Sequence, residues 1–279
     1  MRTFVPRARW RSSWTRVSSR STAVFEGWAD DLETAARALQ RGAIGVEPAS
    51  AHGAVCPMAG VITPSVAVHV VQDEASGRQA YSPLNEGRGP SLWFGNPNRA
   101  ALERLAWFRD EFGPTLRAAL RRAEGVDLPG LFAQSVQMGD DLHVRCVATT
   151  ALLLRALVAP MLEAEVAPAA VARAARFLEA NSLFSLTVTM AACKVAADIA
   201  HGVPGSSVVT GMCRNGVEFG LRVGGLGDRW LTAPAPRMDE AIYYAGYSVA
   251  DAAGDIGDSA VLEVVGLGGM AIAAAPTIA

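Results

Sequence analysis

Lysine is nearly missing from this sequence. Lys194 is the single lysine among 279 residues, so the positive charges are otherwise arginines. Cysteine is sparse, and its four copies (Cys56, Cys146, Cys193 and Cys213) form no C-x-x-C pair. That excludes a zinc ribbon or a disulfide framework and fits a reducing compartment, here the cytoplasm. The four histidines (His52, His69, His143 and His201) show no H-E-x-x-H or similar spacing, so neither a metal nor a cofactor is expected. Acids are absent from residues 1–22, which hold Arg2, Arg7, Arg9, Arg11, Arg16 and Arg20. Beyond residue 22, 19 basic residues face 27 acidic ones, a net charge of −8 against −2 for the whole chain. An acidic body argues against nucleic acid as a partner. With 51% hydrophobic and 19% charged residues, the composition is globular rather than disordered.

Residues 1–22 also lack an apolar h-region, which excludes a secretory signal. Their Arg/Ser-rich make-up is that of an organellar transit peptide or of out-of-frame translation of GC-rich DNA. Either origin predicts a disordered leader.

From Phe25 onwards the patterns become regular. Leu32, Ala35, Ala36 and Leu39 predict an amphipathic helix over 28–40, closed by Gly42. A short strand over 43–47 and a Pro/Gly loop over 48–64 follow. Strands at 66–71 and 79–84 pair across the polar turn 73–77. Asn98 caps a helix to about Glu111, and Gly113-Pro114 breaks it and opens another through Arg122. One helical element, with a break at Gly139, covers 129–162; further helices cover 168–180 and 183–200. The expected fold is therefore α/β (mixed α+β), with two mixed α/β portions, 23–97 and 203–279, flanking a mostly helical portion, 98–202. Residues 260–279 carry one charge, Glu263. Their length permits a membrane span, but the Gly/Ala content, the internal acid and the lack of a basic flank predict a buried helix over 260–275 and no membrane partner.

The stretch Ser206–Ser259 concentrates glycines beside groups that bind small anions. Glycine lets the main chain approach a ligand closely. Arg214-Asn215-Gly216 reads equally as a hairpin turn and as a guanidinium presented to a carboxylate or phosphate. Asp255 and Asp258-Ser259 precede a helix start, where two acids cap the helix or hold a cation more readily than they bind phosphate. On the predicted helix across residue 140, Asp141 and Arg145 are ion-pair neighbours, and Asp140 with His143 forms an oriented general base or a solvated face. His52 and Cys56, four apart in a loop, leave the thiol without an activating neighbour. Asn85-Glu86-Gly87-Arg88-Gly89 is a solvated turn or a loop offering one acid and one base.

Taken in order, GWADDLETAARAL, HGAVCPMAGVITPS, AYSPLNEGRG, QSVQMGDDLHVR, SSVVTGMCRNGVEFGLRVGGLG, TAPAP and DIGDSAVLEVVGLGGMAIAAAP resemble the YlbE-like bacterial family over residues 23–279. Members of that family occur beside FdrA-type proteins. The resemblance implies mixed α/β portions with a helical insert. It also implies a subunit of a complex that moves a carbamoyl group between oxalurate and phosphate in allantoin breakdown, giving oxamate and carbamoyl phosphate. Partners would be a small anionic substrate and an FdrA-like subunit, with self-association a further expectation. Such chemistry needs cations and dipoles to hold a phosphate, a carboxylate and a developing oxyanion. The residues expected to supply them are Arg214, Asn215, Gly216, His52, Asn85, Glu86, Asp255, Asp258 and Ser259, with His143 and Asp140 moving the proton. An alternative expectation is a non-catalytic anion-binding or partner-binding subunit, or an inactive fragment.

Departures exist. His143-Val144-Arg145-Cys146 stands where the family tends to read His-Asn-Arg-Asn, and Gly254 where it reads Pro. Family members are longer at both ends, so the sequence is expected to be a truncated member.

Overall fold

The computed structural model describes residues 13–87, 89, 91–95 and 98–274. Residues 1–12 of the expected leader lie outside them. The rest of that leader is ordered, which corrects the expectation: Ser13–Phe25 forms helix α1. Ser18, Ser21, Thr22 and Ala23 are buried, and the Ser18 hydroxyl donates to the Leu92 carbonyl at 2.6 Å. Small residues let this helix lie close to the body; its hydroxyls turn back onto carbonyls, as Thr22 does onto that of Ser18 at 3.0 Å.

Helix α2, Leu32–Gln40, starts later than predicted because Asp31 is its extended N-cap and accepts the Thr34 amide at 2.7 Å. The predicted strand over 43–47 does not form. The amides of Ala43 and Ile44 both turn back to the Ala38 carbonyl, which closes the helix and leaves no ladder partner. Strands β1 (Val68–Gln72) and β2 (Gln79–Pro83) pair antiparallel, Val68 opposite Pro83, as the alternation predicts.

Asn98 caps α3, Arg99–Trp107, accepting the Ala101 amide at 2.9 Å. Gly113-Pro114 does not break the path that follows. A π-helical turn, Phe108–Phe112, widens the spiral, and α4 runs on over Gly113–Arg122. The wide turn brings the Phe108 carbonyl onto residue 113, where a Cβ would sit 2.7 Å away. Glycine is required there.

The predicted element over 129–162 is two helices, α5 (Leu128–Gln137) and α6 (Val147–Glu163), separated by a nine-residue link. Helix α7 covers Pro168–Ala180 and α8 covers Phe184–Ile199. Most of α8 is buried, because it packs on β1, β2, α6 and the second sheet. That sheet has the order β5-β4-β3-β6, all antiparallel, from β3 (Val209–Asn215), β4 (Glu218–Val223), β5 (Trp230–Pro234) and β6 (Ile256–Gly257). The predicted C-terminal helix is reduced to α9, Val261–Val264, and a 3-10 turn, Gly268–Ala274. Gly266 and Gly268, both at positive φ, end the helix between them. Residues 275–279 lie outside the described residues. Among the described residues no single helix is long and apolar enough to cross a membrane.

The larger core gathers Phe108, Phe112, Leu157, Met161 and Phe184, with Trp107 and Phe177 against it. Trp107 stacks on Phe112 at 4.9 Å, and Phe177 meets Trp107, Phe108, Phe112 and Phe184 edge-on. Each buried large side chain contributes about 1.5–3 kcal/mol. A second core, with Val55, Leu142, Met190, Cys193 and Leu262, lies under α9. The fold is mixed α+β, as expected.

Candidate functional site

Strand β6 pairs with the end of β3, placing Arg214 opposite Gly257 and Asn215 opposite Ile256. This brings Arg214, Asn215, Gly216, Asp255, Asp258 and Ser259 together, from two ends of the glycine-rich stretch. Asn215 serves the hairpin: its Oδ1 accepts the amides of Val217 at 3.0 Å and Glu218 at 2.7 Å. The Gly216 amide donates to the Asp255 carbonyl at 2.8 Å. Ser259 is buried, and its carbonyl accepts the Leu262 amide in the first turn of α9.

Arg214 lies on β3 just before the hairpin turn that its motif predicts, and its guanidinium faces a carboxylate of the chain itself. Its Nε donates to Asp255 at 2.8 Å, while its Nη1 is buried with no partner among the described residues. The guanidinium is held at Nε, and the N–H groups of its buried Nη1 are left without an acceptor among the described residues. Asp258 lies close by. Burial pushes its carboxyl up to about 6, against the opposing pull of the Cys56 amide and of the Arg214 and Lys194 charges.

Behind Arg214 is a buried charge network that the sequence analysis did not identify. Lys194 on α8 bonds Asp198 one turn on, and Arg222 on β4 bonds the same carboxylate at 2.7 Å. Burial holds the Lys194 ammonium below its usual range; Arg222 adds to this, and Asp198 and Asp258 oppose it. Arg222 also donates to the Thr210 carbonyl at 3.2 Å. The available signal was a lysine and an aspartate four apart in an otherwise apolar helix.

The link between α5 and α6 corrects the predicted helical placement of Asp140, Asp141, His143 and Arg145. Gly139 and Leu142 adopt positive φ, +102° and +66°, which ends any helix there. Asp140 accepts the amide and hydroxyl of Thr149, both at 2.7 Å, and so caps α6 rather than pairing with His143. Asp141 does not pair with the Arg145 side chain. Its Oδ1 accepts the amides of His143, Val144 and Arg145 at 2.8, 2.8 and 2.9 Å. The partner of His143 is Glu263, with Nδ1 and Oε1 2.7 Å apart. Burial raises the Glu263 carboxyl, but the His143 ring and the Gly269 amide outweigh it and hold the group below its usual range. Glu263 escaped the sequence analysis because 120 residues separate the pair.

The remaining predicted residues lie in other surroundings. His52 Nε2 engages Glu47 at 2.7 Å. The Cys56 thiol is buried and its pKa is raised well above the usual range, by burial and then by Asp258, so it is no nucleophile. The Asn85–Gly89 loop is not a solvated turn. Glu86 is buried and accepts the amides of Leu92 at 2.9 Å and Trp93 at 3.3 Å, and burial pushes its carboxyl up to about 7. Asn85, also buried, accepts the Gly87 amide at 2.9 Å. Both line a cavity of about 20 Å³ with Ser18 and Thr22, room for one water rather than a substrate. Arg88 lies outside the described residues.

The family model described as oxamate carbamoyltransferase subunit AllG matches residues 44–259. The chain belongs to that family. The YlbE-like resemblance read from the motifs fits this assignment. The AllG relative named oxamate carbamoyltransferase subunit AllG, from Escherichia coli (strain K12), is 40% identical over 256 residues, 91% of this chain and 61% of the relative. YahG from the same strain is 41% identical over 255 residues, 91% of this chain and 54% of YahG. A crystal structure of a conserved protein of unknown function from Enterococcus faecalis V583 superposes with a TM-score of 0.90 at 40% identity, covering 95% of this chain and 64% of that one. The chain thus spans between half and two thirds of the length of these AllG-like relatives.

Proposed function

We propose that this chain is a subunit of an oxamate carbamoyltransferase complex, and that the Arg214 cluster holds a small anionic substrate in carbamoyl transfer between oxalurate and phosphate. The observation that carries the reading is the buried, unpartnered Nη1 of Arg214 beside a guanidinium edge already fixed by Asp255. A buried cationic donor without an acceptor is costly, and an oxyanion arriving there satisfies it. Asp258, its carboxyl raised towards neutrality, leaves Arg214 less fully compensated than an ordinary aspartate would. The name of the Escherichia coli relative supports the subunit role, and an FdrA-like protein is the partner we propose.

Titration calorimetry with oxalurate, oxamate, carbamoyl phosphate and phosphate tests the assignment. At least one should bind the wild-type chain. Arg214→Ala should weaken that binding at least tenfold while keeping a cooperative melt, since charge-assisted hydrogen bonds contribute about 1.5–3 kcal/mol. Unchanged affinity in the variant would remove Arg214 from the site.

A second reading, a non-catalytic partner-binding subunit, is favoured by exposed apolar side chains after β5: Ile242, Tyr244, Tyr247 and Val249. Pull-down of an FdrA-like subunit by a chain carrying Tyr244→Ser and Tyr247→Ser distinguishes the readings. Lost association with intact anion binding would place the partner there.

A further inference from the structure

His143 and Glu263 belong to a structure more elaborate than a surface ion pair. Their side chains are 20% and 19% exposed, so the pair is mostly enclosed with one edge open. Three backbone amides on the Asp141 carboxylate fix the loop that carries His143, and Leu142 at φ +66° is held there by full burial in the second core. Non-glycine residues persist at such angles only when their surroundings impose them. On the other side, the Gly268 amide donates to the Asp141 carbonyl at 2.8 Å and the Gly269 amide to Glu263 Oε1 at 3.1 Å. A Cβ at residue 268 would lie 2.0 Å from Glu263 Oε1 and 3.2 Å from His143 Nδ1. The main chain is thus laid against the pair, and only glycine permits it. Glu263 Oε2 is buried with no hydrogen-bond partner among the described residues.

We infer that His143 is the proton-transfer group of this chain and that Glu263 is its positioning residue, taking the place that Asp140 holds in the sequence expectation. An ionised carboxylate only accepts, so Nδ1 carries the hydrogen and the lone pair is left on Nε2. That is the tautomer a general base requires. The pair and the anion site are joined through α9: the Val261 amide donates to the Asp258 carbonyl at 3.0 Å, and Glu263 lies within that helix. The Asp258 and Glu263 charges act on adjacent residues of α8, Lys194 and Cys193. The neighbouring titratable groups are Asp141, whose carboxylate accepts the His143 amide, Cys146, whose thiol donates to the His143 carbonyl at 3.6 Å, and Cys193; burial holds both thiols neutral.

Resting on the proposed carbamoyl transfer, the step balances as follows. The carbamoyl carbon exchanges its bond to the oxamate nitrogen for one to a phosphate oxygen. The phosphate hydroxyl proton passes to His143 Nε2 and from there to the departing nitrogen, so the enzyme ends with the protons it began with.

Two measurements test this. Nitrogen-15 NMR of the histidine rings in the whole chain should show His143 as the Nδ1–H tautomer, and Glu263→Gln should change its tautomer balance. An Nε2–H ring in the wild type would overturn the inference whatever the substrate. In the complex with its partner subunit, Glu263→Gln should lower kcat about 100-fold at unchanged KM and shift the pH profile, with Glu263→Asp partly restoring both. Gly268→Ala should reproduce the loss with both dyad residues intact. Wild-type kcat and pH profile in Glu263→Gln would sink the dyad. Absence of anion binding to the wild type, with the tautomer as stated, would instead sink the carbamoyl-transfer reading.

Discussion

Gly257 and Met58 touch main chain to main chain. A Cβ on Gly257, which sits at φ +117°, would be 2.6 Å from the Met58 nitrogen, and Met58 itself adopts φ +40°. The loop carrying Cys56 is thereby clamped onto β6, and the Asp258 amide completes the clamp by donating to the Cys56 carbonyl at 3.2 Å. Gly257→Ala combines strain with a backbone clash and should cost about 2–4 kcal/mol. Urea denaturation measures it. A variant within 0.5 kcal/mol of the wild type, a surface-like effect, would mean that the loop retreats freely.

Glu86 makes stability depend on pH. Its carboxyl titrates at about 7 in the fold against an ordinary 4.5, so the native state binds the proton more tightly than the unfolded chain does. Its contribution is fully present below pH 4.5 and is lost as pH rises to 7, an amount of about 3 kcal/mol. Glu86→Gln keeps an acceptor for the Leu92 amide and removes the titration. The variant should gain on the wild type between pH 5 and 8, measured by denaturation at both. A constant difference between the two proteins would contradict this.

Asp198 is the shared counter-ion of two buried cations. Asp198→Ala strands Lys194 and Arg222 and should cost about 3–5 kcal/mol. Lys194→Met leaves the Asp198–Arg222 pair intact and replaces a desolvated ammonium with an apolar chain of similar length, so it should cost far less. Thermal melts of the two variants rank them; the reverse order would refute the shared-anion account.

Much of the local structure was legible because its signals are local. Asn98 caps the helix it was expected to cap, Pro168 opens α7, and alternation across a polar turn located the β1–β2 hairpin. The grouping of Arg214 with Asp255 was also legible, since glycines and charges recur at both ends of one stretch. Helical spacing misled at residues 140–145, where Leu142 takes a backbone angle that no propensity foretells and Asp141 spends its carboxylate on three amides. The ordered half of the arginine-rich leader was missed for the opposite reason. Its small polar residues lack an apolar stripe, yet Ser18 and Ser21 bury themselves through their size and their hydrogen bonds. Partnerships such as His143–Glu263 and Asp198–Arg222 depend on tertiary closure and have no local trace.

The distance along the chain between His143 and Glu263 has a consequence in time. Synthesis proceeds from the N-terminus, so a ribosome-bound chain can complete α1 to α8 and still lack both the carboxylate and the Gly268–Gly269 segment that hold the imidazole. A nascent chain therefore carries His143 untethered, free to choose either tautomer. Only a polypeptide released far enough to place residue 269 against α9 acquires the oriented ring, so the site reports that the segments around residues 143 and 269 have closed on one another.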